Sequence, residues 1–174
     1  MIAAIHEGRS PILLTERKDH LEFFARYLSR MVKHILVLQG RMSAKERRNA
    51  LDRLALIPVA EERLILATGR YIGEGFDDAR LDTLFLALPI SWKGTLVQYS
   101  GRLHRHHAGT REVRIYDYVD GGVPVLLRMF EKRLRTYRAI GYARGEAPLG
   151  FAEPSRELTV EYDDEALRHF AQVE

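Results

Sequence analysis

The feature that most constrains the fold is a series of short apolar runs separated by amphipathic stretches of helical period. Each run is apolar at consecutive positions, as expected for a strand that is buried on both faces. Such strands, alternating with helices, favour a parallel sheet with helices on both sides. The predicted strands cover residues 12–14, 35–38, 64–67, 83–88 and 113–118.

Helix signals lie between these runs. Asp19 and Glu22 have the spacing of a capping box at the start of an amphipathic stretch that extends to residue 32. Ser43 and Glu46 repeat this spacing before a stretch that extends to residue 54. Further helices are predicted over residues 95–102 and 124–140.

The helix predicted over residues 124–140 has two different faces. One face is apolar, and the opposite face contains Arg128, Lys132, Arg135 and Arg138. A helix that packs on the core and exposes a solvated basic face explains this pattern. A contact between the basic face and nucleic acid explains it as well.

Charge divides the chain into two parts. The whole chain has 27 basic and 24 acidic residues and a net charge of +3. Residues 144–174 contain eight of the acids and three of the bases, which leaves 24 bases and 16 acids before them. A basic body with an acidic tail favours a polyanionic partner for the body. Since Gly, Ala and Pro are frequent from residue 141 to 154, we predict a domain over residues 1–142 and a linker with an acidic extension over residues 143–174.

The composition excludes several kinds of site. The chain has no cysteine, so disulfides, thiolate metal sites and cysteine nucleophiles are excluded. No apolar run approaches the length of a membrane span, and no basic-then-apolar leader is present, which predicts a cytoplasmic protein. Residues 1–6 have the pattern of a helix that enters from a preceding domain, which predicts an expressed fragment or a split gene product.

Polar residues follow the predicted strands at their carboxyl ends, at residues 15–17, 39–41 and 68–70 and in the stretch after Leu88. Parallel sheets bind their ligands beyond these ends. We therefore expect the functional chemistry in the segments that follow the strands.

One such segment contains two arginines on a predicted helical turn. Arg102 and Arg105 are three positions apart, and Gly101 precedes the first and would allow close packing. Guanidinium groups bind phosphate oxygens through two parallel hydrogen bonds and keep their charge. The spacing alone fits a polyphosphate site and a surface helix with two unrelated arginines equally well.

A second segment is a glycine-punctuated loop after a predicted strand. The strand ends at Thr68, the loop contains Gly69, Gly73 and Gly75, and Asp77 lies at its far end. Glycines let backbone N–H groups approach a ligand closely. The carboxylate would suit a ribose hydroxyl or an arginine partner, whereas the alternative is a loop that only turns the chain.

In this order the segments resemble the motifs of the C-terminal RecA-like domain of superfamily-two DEAD/DEAH-type helicases, especially those of the restriction-enzyme Res-subunit type. Residues 12–17 look like motif IV, residues 64–77 like motif V, and residues 98–105 like the Q-x-x-G-R-x-x-R of motif VI. The resemblance covers residues 11–120. It implies an α/β, three-layer RecA-like (P-loop NTPase-like) domain with a mainly parallel central sheet flanked by helices, followed by a C-terminal helical and acidic extension.

The resemblance also implies an ATP site that is shared with another domain. Arg105 would be the arginine finger that reaches the γ-phosphate, and Arg102 would also be directed at the triphosphate. Gln98 would orient the motif or touch the nucleotide.

Two further sets of residues follow from the same resemblance. Asp77 would face the ATP ribose, with Gly73 and Gly75 in the ATP-binding loop that approaches it. Many relatives have a glutamine at the position of Ala44, so one backbone contact of the family is in doubt here. The implied contacts with nucleic-acid phosphates are Thr15, Arg17, Thr68 and Gly69.

Two motifs of a complete ATPase are missing from the sequence. It contains no G-x-x-x-x-G-K-[ST], and no predicted strand ends in paired acids that would hold Mg²⁺. Phosphoryl transfer needs a cradle for the β- and γ-phosphates, a metal ion and a positioned water. We therefore expect ATP and Mg²⁺ to bind in the full-length enzyme only, and the isolated chain to be inactive as an ATPase and as a helicase.

The expected partners are nucleic acid and an N-terminal RecA-like domain in the same protein or complex, with no membrane. The resemblance to restriction-type proteins favours DNA over RNA. The main alternative is a non-catalytic nucleic-acid-binding module with the same fold; a nucleotide-binding regulatory domain is disfavoured because a phosphate-cradling loop is missing.

No metal is expected, since His104, His106 and His107 have no acid or cysteine at ligand spacing. Trp92 and Tyr99 are predicted to be packed aromatics in preference to base-stacking ones.

Overall fold

The computed structural model describes residues 1–40, 42–69, 76, 78–87, 93–103 and 112–143, with only the backbone described at residues 93–95 and 102. The chain divides into two units, Met1–Tyr142 and Ala143–Glu174, of which the first is described below. None of the helices within the described ranges is long and apolar enough to cross a membrane. The strand and helix predicted within residues 144–174 lie outside the described residues.

A five-stranded sheet forms the centre of the first unit, with the strand order β2-β3-β1-β4-β5. All four pairings between neighbouring strands are parallel. Each strand coincides with a predicted apolar run, which confirms the α/β class and the parallel sheet. The strands are β1 Pro11–Thr15, β2 His34–Leu38, β3 Arg63–Thr68, β4 Thr83–Leu86 and β5 Arg114–Asp117.

Five described helices flank this sheet. They are α1 Ile2–His6, α2 Lys18–Leu28, α3 Ala44–Ala55, α4 Lys93–Leu103 and α5 Pro124–Ala139. Leu54 of α3, Leu96 of α4 and Tyr137 of α5 pack in the cluster on one face of the sheet. Ile5 of α1 and Leu21 of α2 pack in the cluster on the other face. The result is the three-layer arrangement that strands apolar on both faces require.

The two predicted capping boxes had different outcomes. At the start of α3 the Ser43 Oγ accepts a hydrogen bond from the Glu46 backbone N (3.2 Å), and the Glu46 carboxylate accepts one from the Ser43 backbone N (2.7 Å). The box predicted from Asp19 is wrong, because α2 begins at Lys18 and Asp19 lies inside its first turn. The Asp19 carboxylate instead accepts a hydrogen bond from Arg17 Nε (3.1 Å).

A buried ion pair lies at the amino-terminal edge of the sheet, where β3 begins. Arg63 begins β3 with its side chain 2% exposed, and it donates hydrogen bonds of 2.6 and 3.0 Å to the two carboxylate oxygens of Asp78. Arg80 donates to the backbone oxygens of Ile57 (3.0 Å) and Val59 (3.1 Å). Together these bonds tie the segment before β3 to the segment before β4. The apolar pattern of the strand gave no sign of this role for Arg63.

Candidate functional site

Two threonines lie side by side where β1 and β3 end. Thr15 and Thr68 are paired in the register of the parallel ladder, and both are buried. The Thr68 Oγ1 accepts a hydrogen bond from the Gly40 backbone N (3.1 Å). Because a hydroxyl can donate one bond as well as accept, the Thr68 proton remains available to an acceptor at this edge.

The neighbouring hydroxyl of Thr15 has two partners within the chain. It is hydrogen-bonded to His20 Nδ1 (3.3 Å) and accepts a hydrogen bond from the Arg17 backbone N (3.3 Å). The second bond fixes the turn that leads from β1 into α2. Thr15 and Thr68 therefore place two hydroxyl groups at paired positions of adjacent strands, and such strands are about 4.8 Å apart.

Gly69 lies directly after Thr68 and is enclosed by two side chains. A Cβ at this position would lie 2.5 Å from Glu16 Oε1 and 2.6 Å from the phenolic oxygen of Tyr99. With those side chains in place, only glycine fits. The three motif-like segments of the sequence, around residues 16, 69 and 99, therefore meet at one point on the carboxyl edge of the sheet.

Tyr99 faces inward from α4, as predicted for a packed aromatic, and is 6% exposed. Burial, with a smaller effect of the Glu16 charge, raises the pKa of Tyr99 to about 12. The phenol is therefore neutral at physiological pH and keeps its O–H proton. Neither Glu16 nor Tyr99 was predicted to belong to the site, and the only signal for them was their position beside Arg17 and Gln98 in the two motifs.

The other side of α4 is open. Gln98 and Gly101 are exposed, whereas Leu96, Tyr99 and Leu103 are buried. A Cβ at Gly101 would meet nothing within 4 Å. Among the described residues, the close packing expected at Gly101 is therefore absent, because the buried face of α4 is formed by Leu96, Tyr99 and Leu103.

Arg17 is exposed at the start of α2, where it is paired with Asp19. The hydrogen bond and charge of Asp19 raise the pKa of Arg17, and Arg17 in turn lowers the pKa of Asp19. Solvent screens an ion pair this exposed, so Arg17 can leave Asp19 and bind another anion at little cost in free energy. Arg17 follows Thr15 by two residues, just after the carboxyl end of β1.

Several predicted site residues fall outside the described residues or have only a described backbone. Arg102 lies in α4, with its backbone alone described. Among the described residues, no group of three His, Asp or Glu side chains is placed to hold a metal ion. The predicted site residues outside the described ranges are Gly73, Gly75, Asp77 and Arg105, and with them Trp92, His104, His106 and His107.

The chain is similar to known proteins in both sequence and fold. Residues 1–107 match the family "Helicase conserved C-terminal domain". The fold is similar to the C-terminal part of the Fun30 ATPase domain, with a TM-score of 0.60, 13% identity, and coverage of 74% of this chain and 40% of that one. It is also similar to UvsW of T4, with a TM-score of 0.59, 16% identity, and coverage of 79% of this chain and 30% of that one.

These two solved chains are much longer than the part that this chain matches, which is less than half of either. At such low identity the likeness establishes the fold alone. A search among curated proteins found no match.

Proposed function

This chain belongs to the helicase conserved C-terminal domain family, and we propose that it is the C-terminal motor domain of an ATP-dependent nucleic-acid helicase or translocase. In this proposal it supplies arginine side chains to an ATP held mainly by another domain, and it binds the nucleic-acid backbone at the carboxyl edge of its sheet. The observation that best supports the proposal is the meeting of Glu16, Gly69 and Tyr99, which joins three helicase-like segments at that edge.

The open side of α4 supports a role in ATP hydrolysis that depends on a second domain. Gln98 is exposed there, and position 102 follows it by four residues, the spacing that places two positions on the same side of a helix. Arg105 follows three residues later in the sequence. A helix that packed this side against its own core would be unsuited to reach a nucleotide on a neighbouring domain.

The sequence also supports an ATP site that is shared between two domains. Since it contains no G-x-x-x-x-G-K-[ST], the cradle for the β- and γ-phosphates and the Mg²⁺ site must come from the other domain. In this proposal the exposed side of α4 at Gln98 and Gly101 faces the nucleotide that the other domain holds. An arginine finger stabilises the negative charge of the transferring phosphoryl group, and it does so only when the remaining parts are present.

The threonine pair supports a contact with the nucleic-acid backbone. The Thr68 hydroxyl has a proton to donate, the Gly69 backbone follows it directly, and Arg17 lies two residues after Thr15 at the end of β1. Hydroxyl, backbone and guanidinium donors are the groups with which proteins bind phosphates. Such contacts read little sequence, so we expect no strong sequence preference, and we propose DNA as the polymer from the resemblance to restriction-type helicases.

The proposal is tested by joining the chain to a domain with a Walker A motif from the same protein or complex. ATP hydrolysis is measured with and without nucleic acid for the 174-residue chain, for the Walker domain and for the two together. We expect hydrolysis that nucleic acid stimulates only when both are present. Hydrolysis by the chain alone would refute the proposal, and failure of the joined domains to hydrolyse ATP despite nucleic-acid binding would favour the non-catalytic binding module.

A further inference from the structure

We infer that the outer face of α5 is a second contact with the phosphate backbone of nucleic acid, separate from the edge at Thr15 and Thr68. This face contains four cations, which we call the basic ridge: Arg128, Lys132, Arg135 and Arg138. The inference rests on the proposed function for the identity of the bound polymer, which is the nucleic acid on which the motor would act.

The basic ridge runs along one side of α5. Its members follow one another at intervals of four, three and three residues, and all four are exposed. At 1.5 Å per residue the row is about 15 Å long and covers an arc of about 120° around the helix. One strand of a duplex presents a phosphate about every 3.4 Å along the axis, so the row spans about four phosphates.

The four cations have no partner among the described residues. None of them forms an ion pair or a side-chain hydrogen bond there, and Glu131, the single acid of α5, is partly buried. Two other surface cations differ in this respect, since Arg17 is paired with Asp19, and Arg114 with Glu7 and Glu112. Like charges three or four residues apart on a helix repel one another, and a bound polyanion removes that repulsion.

A fifth cation of α5 shows how the ridge is held in place. Arg133 faces inward, with its side chain 3% exposed, and donates hydrogen bonds of 2.7 and 2.9 Å to the two carboxylate oxygens of Asp117 at the end of β5. Tyr137 donates a third bond to the same carboxylate (2.9 Å). These bonds fix the rotation of α5 about its axis, so that the ridge faces away from the sheet.

The chemistry of the face favours nucleic acid over an anionic membrane. A helix that lies on a bilayer needs an exposed apolar face to enter the lipid. The apolar face of α5 packs against the sheet through Leu134 and Tyr137 and is not available. Three of the four ridge residues are arginines, whose planar guanidinium groups suit bidentate binding to phosphate.

The test compares two variants of the full chain that lose the same charge. The ridge variant carries Arg128→Gln, Lys132→Gln, Arg135→Gln and Arg138→Gln. The matched control carries Arg26→Gln, Arg30→Gln, Arg48→Gln and Arg53→Gln. These four cations are exposed, three of them in α2 or α3 and Arg30 two residues after α2, and they also form no ion pair within the described residues. Because glutamine is a good helix former, both variants should fold, which circular dichroism and thermal unfolding verify.

Binding to a fluorescently labelled DNA duplex and to a single strand is followed by anisotropy over a series of salt concentrations. Each lost phosphate contact flattens the slope of log K against log salt by about 0.9 for the duplex and about 0.7 for the single strand. We expect the ridge variant to lose two or more such contacts and the control to keep the wild-type slope. The single variant Arg135→Gln, with the loss of one contact, gives the same answer if the fourfold variant does not fold.

Each other outcome overturns the inference. Equal flattening in both variants would show an effect of net charge alone. An unchanged slope in the ridge variant, with a flattened slope in Arg17→Gln, would refute the ridge and leave the proposed function standing. Sedimentation with phosphatidylserine vesicles that depends on the ridge, with unchanged DNA binding, would assign the face to a membrane. Absence of any DNA binding by the wild-type chain would refute the ridge and the proposed backbone contact together.

Discussion

The backbone of Gly69 lies against the phenol of Tyr99, so closely that a methyl group on Gly69 would be 2.6 Å from the phenolic oxygen. Gly69 follows the threonine that ends β3, and Tyr99 lies in α4 between Gln98 and position 102. The contact therefore joins the proposed backbone-binding edge to the helix proposed to act on ATP. A change on one side of this contact displaces the other, because Tyr99 is buried and has little room to move.

The first prediction concerns the volume at Gly69. In Gly69→Ala the new methyl group displaces Tyr99 or Glu16, and overpacking of this kind should lower the free energy of unfolding by about 1–3 kcal/mol. Nucleic-acid-stimulated ATP hydrolysis of the joined domains should fall as well, because α4 moves. Urea unfolding and steady-state hydrolysis measure the two effects.

Gly101→Ala is the matched control for this prediction. It adds the same methyl group at an exposed position of α4 where nothing lies within 4 Å, and it should stabilise the helix by about 0.5–1 kcal/mol. Tyr99→Phe, combined with Gly69→Ala, removes the phenolic oxygen and should restore part of the lost stability. Equal stability of Gly69→Ala and the wild type would show that the contact does not constrain the chain.

The second prediction separates a neutral phosphate contact from a charged one. Thr68→Val removes both the proton that we propose is donated to a phosphate and the acceptor of the Gly40 N–H. It should weaken nucleic-acid binding by about tenfold, the size of one hydrogen bond to a charged group. The salt slope should stay unchanged because no cation is lost, whereas in Arg17→Gln it should flatten by about 0.7–0.9.

Thr68→Ser keeps the hydroxyl and is the control for Thr68→Val. It should bind nucleic acid nearly as the wild type does in the same anisotropy titration. If the serine and valine variants bind equally well, the hydroxyl makes no contact with the phosphate backbone.

The third prediction concerns the carboxylate that holds α5. Asp117→Ala leaves the guanidinium of Arg133 buried without its partner, which should lower the free energy of unfolding by about 3–5 kcal/mol. Glu112→Gln removes an exposed partner of Arg114 just before the same strand and should cost at most about 1 kcal/mol. Urea denaturation of both variants measures the difference, and comparable losses would mean that the buried pair contributes no more than the exposed one.

The sequence was sufficient to predict the layers of this fold, but not the contacts that organise its edge. The strands β1, β3 and β4 are buried on both faces, and the consecutive apolar residues in the sequence predict this directly. The capping box at Ser43 could be predicted as well, because it depends on only four neighbouring residues. Glu16, Gly69 and Tyr99 are far apart in the sequence, and no local pattern encodes their meeting.

The incorrect capping box and the open Gly101 have physical reasons of the same kind. The spacing of Asp19 and Glu22 fits a capping box. The spacing gives no information about Arg17, which binds the Asp19 carboxylate from two residues away. The glycine of the motif-VI-like segment suggested close packing, whereas no described residue comes within 4 Å of a Cβ placed there. In both cases the local pattern was present and the partner that decides its role was elsewhere.

The most direct test of the central proposal is the turnover of Arg105→Ala in the joined enzyme, measured together with its affinity for ATP. An arginine finger acts on the charge of the transition state, so we expect turnover at saturating ATP to fall by a factor on the order of 10³–10⁵ with ATP binding little changed. Arg105→Lys keeps the charge without the guanidinium fork and should recover only a small part of the rate. Weakened ATP binding with normal turnover at saturation would contradict the proposal that this chain completes the ATP site of a second domain.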